Sequence, residues 1–311
     1  MARYVTVASV SHHPSPGDGP DRRGQLLGTA CAHVQRAARM GADIVAFPEV
    51  YAQLGQAEGW QAWNELAEDP EGGPTIAAMR EQAQRLGLHI IWPTLTRERG
   101  RVYNSAVLID SRGKVTGVYH KMHPTIGEIE NGITPGEEIG VFDTSFGRIG
   151  TCICFDLNFP DTMEGLGRGG AEVVFFCSMY RGGLQLRAWA HKLGAYMVSA
   201  ITGELGMIVD QGGEVLAEST SEIVIARRVN LDSELLHLDY NGEKLDDMLG
   251  KYGPDISFRY YSREACWTVS SEREGLSIED IKREFGLESR AAYFARAEQV
   301  RQQALAARSG T

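Results

Sequence analysis

The stretch from Phe146 to Asp161 reads FGRIGTCICFDLNFPD, and the rest of the chain can be interpreted outward from it. Its apolar run ends at Cys154, and the polar residues and proline that follow are typical of a strand that ends in a loop or a helix start. The pattern predicts a thiol at a strand end, where a nucleophile is usually displayed. Alone, this pattern is weak evidence for a nucleophile, because a free cysteine is most often a small buried hydrophobic residue.

Two further apolar runs also end in an ionisable side chain. Residues 43–49 read DIVAFPE and end at Glu49, and residues 118–124 read VYHKMHP and place Lys121 at a strand end. A carboxylate, an ammonium and a thiol from three strand ends can converge at one rim of a sheet, as α/β enzymes commonly arrange their chemistry. Glu49 alone could be a helix cap and Lys121 alone a solvated charge, so the specificity lies in the combination.

The order of these three motifs resembles the nitrilase, or carbon–nitrogen hydrolase, superfamily with its Glu-Lys-Cys triad. The resemblance runs from about Val5 to the region of Cys266. It implies an α/β fold, a four-layer α-β-β-α sandwich, with Glu49, Lys121 and Cys154 as the catalytic residues. The alternation of strands and helices, with hairpins late in each half, independently predicts two mixed sheets with helices outside.

The resemblance also implies an auxiliary glutamate after the lysine. Glu128 and Glu130 both lie there, in a segment expected to be an irregular surface loop, and counting back from Pro135 favours Glu130. The backbone N–H of Phe155 is expected to help hold an oxyanion. Two aromatic residues near strand ends, Tyr51 and Tyr180, could line a substrate pocket, although such residues more often serve packing.

The chemistry follows from the groups themselves. An amide resists water because its carbon is a poor electrophile and its nitrogen a poor leaving group, so a thioester route divides one high barrier into two lower ones. Cys154 would attack, Glu49 would transfer the protons, and Lys121 would stabilise the oxyanion. These groups need no cofactor, and none is expected.

Other readings of the cysteines and histidines are less favoured. Cys152 lies two residues before Cys154 and is expected to be a buried core thiol. The Cys-x-Cys pair with His120 and His123 could suggest a metal site, but the chain lacks the paired spacing typical of zinc ligands.

Composition narrows the class of partner. The chain has 311 residues and a formal net charge of −10, which offers no basic face for nucleic acid or anionic membrane. The first ten residues are too interrupted for a signal peptide, and the five cysteines show no disulfide spacing. We expect a cytoplasmic protein that acts on a small molecule.

The predicted domains are a catalytic domain over residues 1–270 and a helical extension over residues 271–311. In the resembling family such extensions commonly pack on a partner subunit. The extension therefore suggests a homodimer or larger homo-oligomer.

Three functions remain open. The leading one is hydrolysis of a linear amide or an N-carbamoyl compound. The alternatives are a nitrilase or acyltransferase with the same triad and, in a different class, an inactive binding scaffold, which the intact triad disfavours.

The two residues after the nucleophile differ between branches of the resembling family. Nitrile-cleaving members usually carry tryptophan and then glutamate there, whereas amide- or carbamoyl-cleaving members usually carry an aromatic residue and then aspartate. Phe155 and Asp156 follow the second pattern.

Overall fold

The computed structural model describes residues 2–309; Met1 and residues 310–311, which the predicted domain ranges include, lie outside the described residues. The strands in chain order are β1 (Tyr4–Val10), β2 (Ile44–Ala46), β3 (His89–Glu98), β4 (Arg101–Ile109), β5 (Val115–His120), β6 (Val141–Asp143), β7 (Arg148–Ile153), β8 (Val173–Ser178), β9 (Tyr196–Ile201), β10 (Met207–Val209), β11 (Val215–Glu218), β12 (Val224–Asn230), β13 (Ser233–His237), β14 (Ile256–Tyr261) and β15 (Cys266–Ser271). The helices are α1 (Arg22–Arg39), α2 (Tyr51–Leu54), α3 (Trp60–Glu65), α4 (Pro74–Leu86), α5 (Ile126–Glu130), α6 (Pro160–Arg168), α7 (Gly183–Leu193), α8 (Leu245–Tyr252), α9 (Ile278–Phe285) and α10 (Arg290–Ser309).

Two six-stranded sheets have similar designs. The first has the order β12-β1-β2-β3-β4-β5, and the second the order β11-β10-β9-β8-β7-β6. In each, three strands run parallel, β1 to β3 and β7 to β9, and hairpin strands extend the sheet antiparallel. Since β5 is antiparallel to β4, and β4 to β3, strand β5 ends at the same edge as β2 and β3.

Both faces of the sheets are covered. Ile90 and Trp92 of β3 pack in one core with Val34 of α1 and Met79 of α4, and the intervening Ile91 is also buried. Because successive residues of a strand point to opposite faces, the first sheet has a helix layer on one side and protein on the other. Strand β8 is buried along its whole length, as expected for a strand covered on both faces.

The faces of the two sheets that carry no helices pack against each other. Gly117 of β5 lies against the ring of Phe142 in β6, and Ser11, just after β1, pairs with Ile201 of β9. The result is a sandwich of helices, sheet, sheet and helices. Its strand ends converge where the ionisable residues were predicted.

The chain forms two compact units. The larger comprises residues 5–191 and 195–229 and contains both large sheets. The smaller comprises residues 2–4, 192–194 and 230–309; in it the antiparallel sheet β13-β15-β14 packs with α8 and α9 around Trp267 and Ile281. This grouping places β13 to β15 with the C-terminal helices, whereas the sequence places most of them before residue 270 in the catalytic domain; the functional division stays a prediction. No helix between residues 2 and 309 combines the length and apolar character needed to cross a bilayer.

Candidate active site

The predicted nucleophile lies on a sharp elbow. Cys154 follows the last residue of β7, begins a short 3₁₀ turn over residues 154–158, and has a φ of 50°. A non-glycine residue in this left-handed region is strained, and such strain persists where the surroundings hold it. The carboxylate of Asp156 supplies one such restraint by accepting a 2.9 Å hydrogen bond from the N–H of Ile153.

Glu49 occupies a second elbow, three residues after β2. Val50, which follows it, has a φ of 43° and precedes α2. Glu49 is 3% exposed; its Oε1 accepts from Lys121 Nζ at 2.7 Å and from Asn104 Nδ2 at 2.8 Å. Its second oxygen, Oε2, accepts from the backbone N–H of Met179 at 3.2 Å, just after β8. Strand ends from both sheets thus hold this carboxylate.

Lys121 follows β5 and is 1% exposed. Its Nζ donates to Glu49 Oε1 and to Glu128 Oε2, each at 2.7 Å. Burial alone would lower the pKa of Lys121, but Glu49, Cys154 and Glu128 raise it above its ordinary value. The lysine is therefore a fixed cation at neutral pH.

The glutamate of this segment that contacts Lys121 is Glu128, whereas the sequence favours Glu130. Glu128 is buried and also accepts from Asn104 Nδ2 at 2.7 Å and from the N–H of Thr125 at 2.7 Å, whereas Glu130 is exposed at the end of α5. Burial raises the pKa of Glu128, but the Lys121 charge outweighs it and lowers the pKa below its usual range. The sequence carried a usable signal, because Thr125-x-x-Glu128 is a capping box and marks a helix start in the segment predicted as irregular.

Asn104 is the residue that the sequence interpretation missed. It lies in β4, is almost fully buried, and uses its amide to bridge Glu49 and Glu128. The available signal was a polar residue inside an apolar strand run, since a buried amide must find hydrogen-bond partners.

The Cys154 thiol lies in the field of this cluster. Burial and the neighbouring Glu49 carboxylate raise the pKa of Cys154 to about 12, although Lys121 opposes the shift. The thiol is thus protonated at neutral pH, with a carboxylate beside it. Such a pair can pass a proton from sulfur to oxygen as sulfur attacks.

The three proposed substrate contacts occupy different environments. Phe155 follows Cys154 and is 37% exposed. Tyr180 lies after β8, where burial and then the charge of Cys154 raise the pKa of its hydroxyl. Tyr51 is instead a core residue, because it is fully buried against Phe47 and its hydroxyl contacts His12 Nδ1 at 2.8 Å.

Cys152 and the histidines are placed elsewhere. Cys152 is fully buried in β7, as a core thiol would be. His120 contacts Ser105 and Glu98, while His123 stacks on Phe159. In the part of the chain from residue 2 to 309, no three histidine, cysteine or acidic side chains are arranged to hold a metal ion.

Comparison with known proteins identifies the family of the chain. The profile of the family described as Carbon-nitrogen hydrolase matches residues 6–232. The chain is 27% identical over 277 residues to the deaminated glutathione amidase of Homo sapiens, covering 76% of this chain and 83% of that protein. It is 31% identical over 180 residues to the N-carbamoylputrescine amidase of Solanum lycopersicum, covering 56% and 58%. The chain spans about half the length of the first curated relatives it matches.

A solved structure shows the same fold. It is a mutant of the amidase from Nesterenkonia sp. AN1 with the acetamide moiety of fluoroacetamide added covalently at its active-site cysteine. The TM-score is 0.64 at 18% identity, and the match covers 80% of this chain and 96% of that one. The superfamily and the sandwich fold expected from the sequence are therefore confirmed.

Proposed function

Since the chain belongs to the carbon–nitrogen hydrolase family, we propose that it hydrolyses a non-peptide C–N bond of a small linear amide or N-carbamoyl compound through a thioester on Cys154. The observation that carries the proposal is the buried cluster in which Glu49, Lys121 and Glu128 share charged hydrogen bonds next to the Cys154 thiol. Each group required for acyl transfer is present there.

The first half-reaction forms the acyl-enzyme. As Cys154 Sγ attacks the carbonyl carbon, a C–S bond forms and the thiol proton moves to Glu49. Oε2 suits this role, because Oε1 already accepts from both Lys121 and Asn104. The developing oxyanion is stabilised by the third N–H of Lys121 and by the backbone N–H of Phe155. When the intermediate collapses, the C–N bond breaks and Glu49 returns the proton to the departing nitrogen.

The second half-reaction releases the acid. Glu49 takes a proton from water as the water oxygen attacks the thioester carbon, and the same donors hold the second oxyanion. The C–S bond then breaks, and the sulfur recovers a proton from Glu49. Because Lys121 stays protonated throughout, it supplies charge without titrating.

The relatives support amide-type substrates. Two of them are named as amidases, one for deaminated glutathione and one for N-carbamoylputrescine. The solved amidase from Nesterenkonia carries its covalent adduct on a cysteine. For the present chain, the acyl group itself has to be found by screening.

The direct test is ammonia release over a panel of aliphatic amides and N-carbamoyl compounds. We expect Cys154→Ala to abolish turnover and Cys152→Ala, the matched thiol in the same strand, to retain most of it. Peptide mapping after thiol alkylation should locate the reactive sulfur at Cys154. Loss of turnover in Cys152→Ala alone would show that the nucleophile has been misassigned.

A second test separates amides from nitriles. The Phe155-Asp156 pair favours amides, and hydroxylamine should intercept the acyl-enzyme as a hydroxamate. Matched amides and nitriles with the same acyl groups are compared by kcat/KM. Faster turnover of the nitriles across several acyl groups would favour the nitrilase alternative while leaving the triad in place.

A further inference from the structure

We propose that Asp156 is a positioning residue that locks the Cys154 elbow to the segment carrying Lys121, so that one carboxylate aligns both groups. The turnover part of this proposal rests on the function proposed above. The contacts of Asp156 are independent of that function.

One oxygen of Asp156 restrains the nucleophile. Oδ2 accepts from the N–H of Ile153 at 2.9 Å and from the hydroxyl of Tyr119 at 2.7 Å. The Ile153 bond spans Cys154 and closes the turn in which its backbone is left-handed. Because Asp156 is fully buried, water cannot replace these bonds at low cost.

The other oxygen restrains the segment after the lysine. Oδ1 accepts from the N–H of His123 at 2.8 Å, and the His123 ring stacks on Phe159 with 3.9 Å between ring centroids. Tyr119 lies two residues before Lys121, and His123 lies two residues after it. Asp156 therefore holds the chain on both sides of the lysine as well as the chain entering the elbow.

This arrangement requires a carboxylate rather than an amide. Asp156 accepts at both oxygens, whereas asparagine has one acceptor oxygen and presents an NH₂ group on the other side. In Asp156→Asn, the side-chain NH₂ group must face a backbone N–H, either that of Ile153 in the elbow or that of His123 after Lys121. One of these two hydrogen bonds is therefore lost. The variant keeps the shape of the side chain but breaks the link.

The experiment compares Asp156→Asn with Asp110→Asn. Asp110 is another buried aspartate that accepts backbone N–H bonds, in the β4–β5 turn away from the cluster. For the best substrate of the panel, we expect Asp156→Asn to lower kcat about 100-fold, as for a misplacement near 1 Å. KM should stay within about threefold, because substrate contacts are not removed. The Asp110→Asn control should keep kcat when assayed well below its Tm.

A second readout needs no substrate. The rate constant for iodoacetamide alkylation of Cys154, followed by peptide mapping, should fall about tenfold in Asp156→Asn, because the thiol leaves its base. Slower alkylation in a protein that turns over no amide would support the positioning role and reject the proposed function. If the folded Asp156→Asn variant kept the wild-type alkylation rate constant and the wild-type kcat, the positioning role would be overturned.

Tyr119→Phe covers the case in which Asp156→Asn fails to fold. It removes one hydrogen bond to Oδ2 and leaves the carboxylate, so kcat and the alkylation rate should both fall about three- to tenfold at constant KM. Unchanged rates in this variant, or a raised KM at constant kcat, would contradict the proposal.

Discussion

Lys121 is held between two carboxylates, and this sets what it can offer a substrate. Two of its three N–H donors bind Glu49 and Glu128, so one remains for the oxyanion of the proposed reaction. Asn104 bridges the same two carboxylates and fixes their spacing. Each member of the cluster is thus positioned by the others.

Replacing each of the two candidate glutamates by glutamine distinguishes them. Glu128→Gln removes a buried charge from Lys121 and should lower kcat/KM by about 10- to 100-fold, the equivalent of one charged hydrogen bond. Glu130→Gln, two residues away and exposed, should behave like the wild type. Steady-state kinetics on one substrate decides the matter, and equal losses in the two variants would contradict the assignment.

A second prediction concerns acid stability. Burial, followed by the charges of His12 and Arg36, lowers the pKa of His33 to about 4. The unfolded chain then binds the proton more readily, so His33 stabilises the fold above its ordinary pKa and loses this effect as the pH falls from about 6.5 toward 4. Urea unfolding between pH 7 and pH 4.5 should show a smaller loss of stability in His33→Gln than in the wild type. An equal loss of stability in the two proteins over this pH range would show that His33 does not cause the acid sensitivity.

The segment after β5 is as important for the position of Lys121 as the strand itself. Gly136 donates its N–H to the carbonyl of Lys121, and a Cβ there would lie 2.2 Å from the carbonyl oxygen of His120. This close approach requires glycine. The segment is thereby held against the strand end that carries the lysine.

Gly136→Ala should destabilise the fold by about 1–3 kcal/mol and lower kcat, because backbone rather than a flexible side chain must move. Gly127→Ala is the matched control, since a Cβ there meets nothing within 4 Å and alanine favours the α5 helix. Thermal unfolding and kinetics of the two variants test the difference. An unaffected Gly136→Ala would show that the segment can move without consequence.

The strand ends could be predicted from sequence, but their tertiary partners could not. Short runs that are mostly apolar and lead to an ionisable group at Glu49, Lys121 and Cys154 are recognisable from residue type alone. The three-residue strand β6, which has only two apolar residues, and the five-residue helix α5 show too little periodicity to be predicted. Choosing Glu128 over Glu130 depended on that missed helix.

Tyr51 shows the same limit for a single side chain. Its place near a strand end suggests a pocket residue, yet Tyr51 begins α2 and packs in the core with Phe47. Only the packing of helix on sheet distinguishes the two orientations.

For the whole molecule, the expected self-association stays a prediction, and the structure makes its test specific. Helix α10 is 20 residues long, and Phe294, Val300 and Leu305 on it are about half exposed. Burying such side chains between two copies would stabilise a dimer. We expect sedimentation to give a dimer or larger, with a lower mass for Val300→Glu.

Gln303→Glu is the control for that measurement, because it adds the same charge to an exposed polar position of α10. It should leave the mass unchanged. A monomeric wild-type protein would refute the prediction.

The capping box of α5 links the thermal stability of this helix to the contacts of Lys121. Glu128 closes the helix through Thr125 and also pairs with Lys121. A five-residue helix has little persistence of its own, so its amides should exchange with solvent by local opening. Each opening separates Lys121 from a partner. Turnover by the proposed mechanism should therefore fail on warming before circular dichroism registers any loss of the sheets, and the highest temperature at which the proposed activity persists would be set by this one turn of helix.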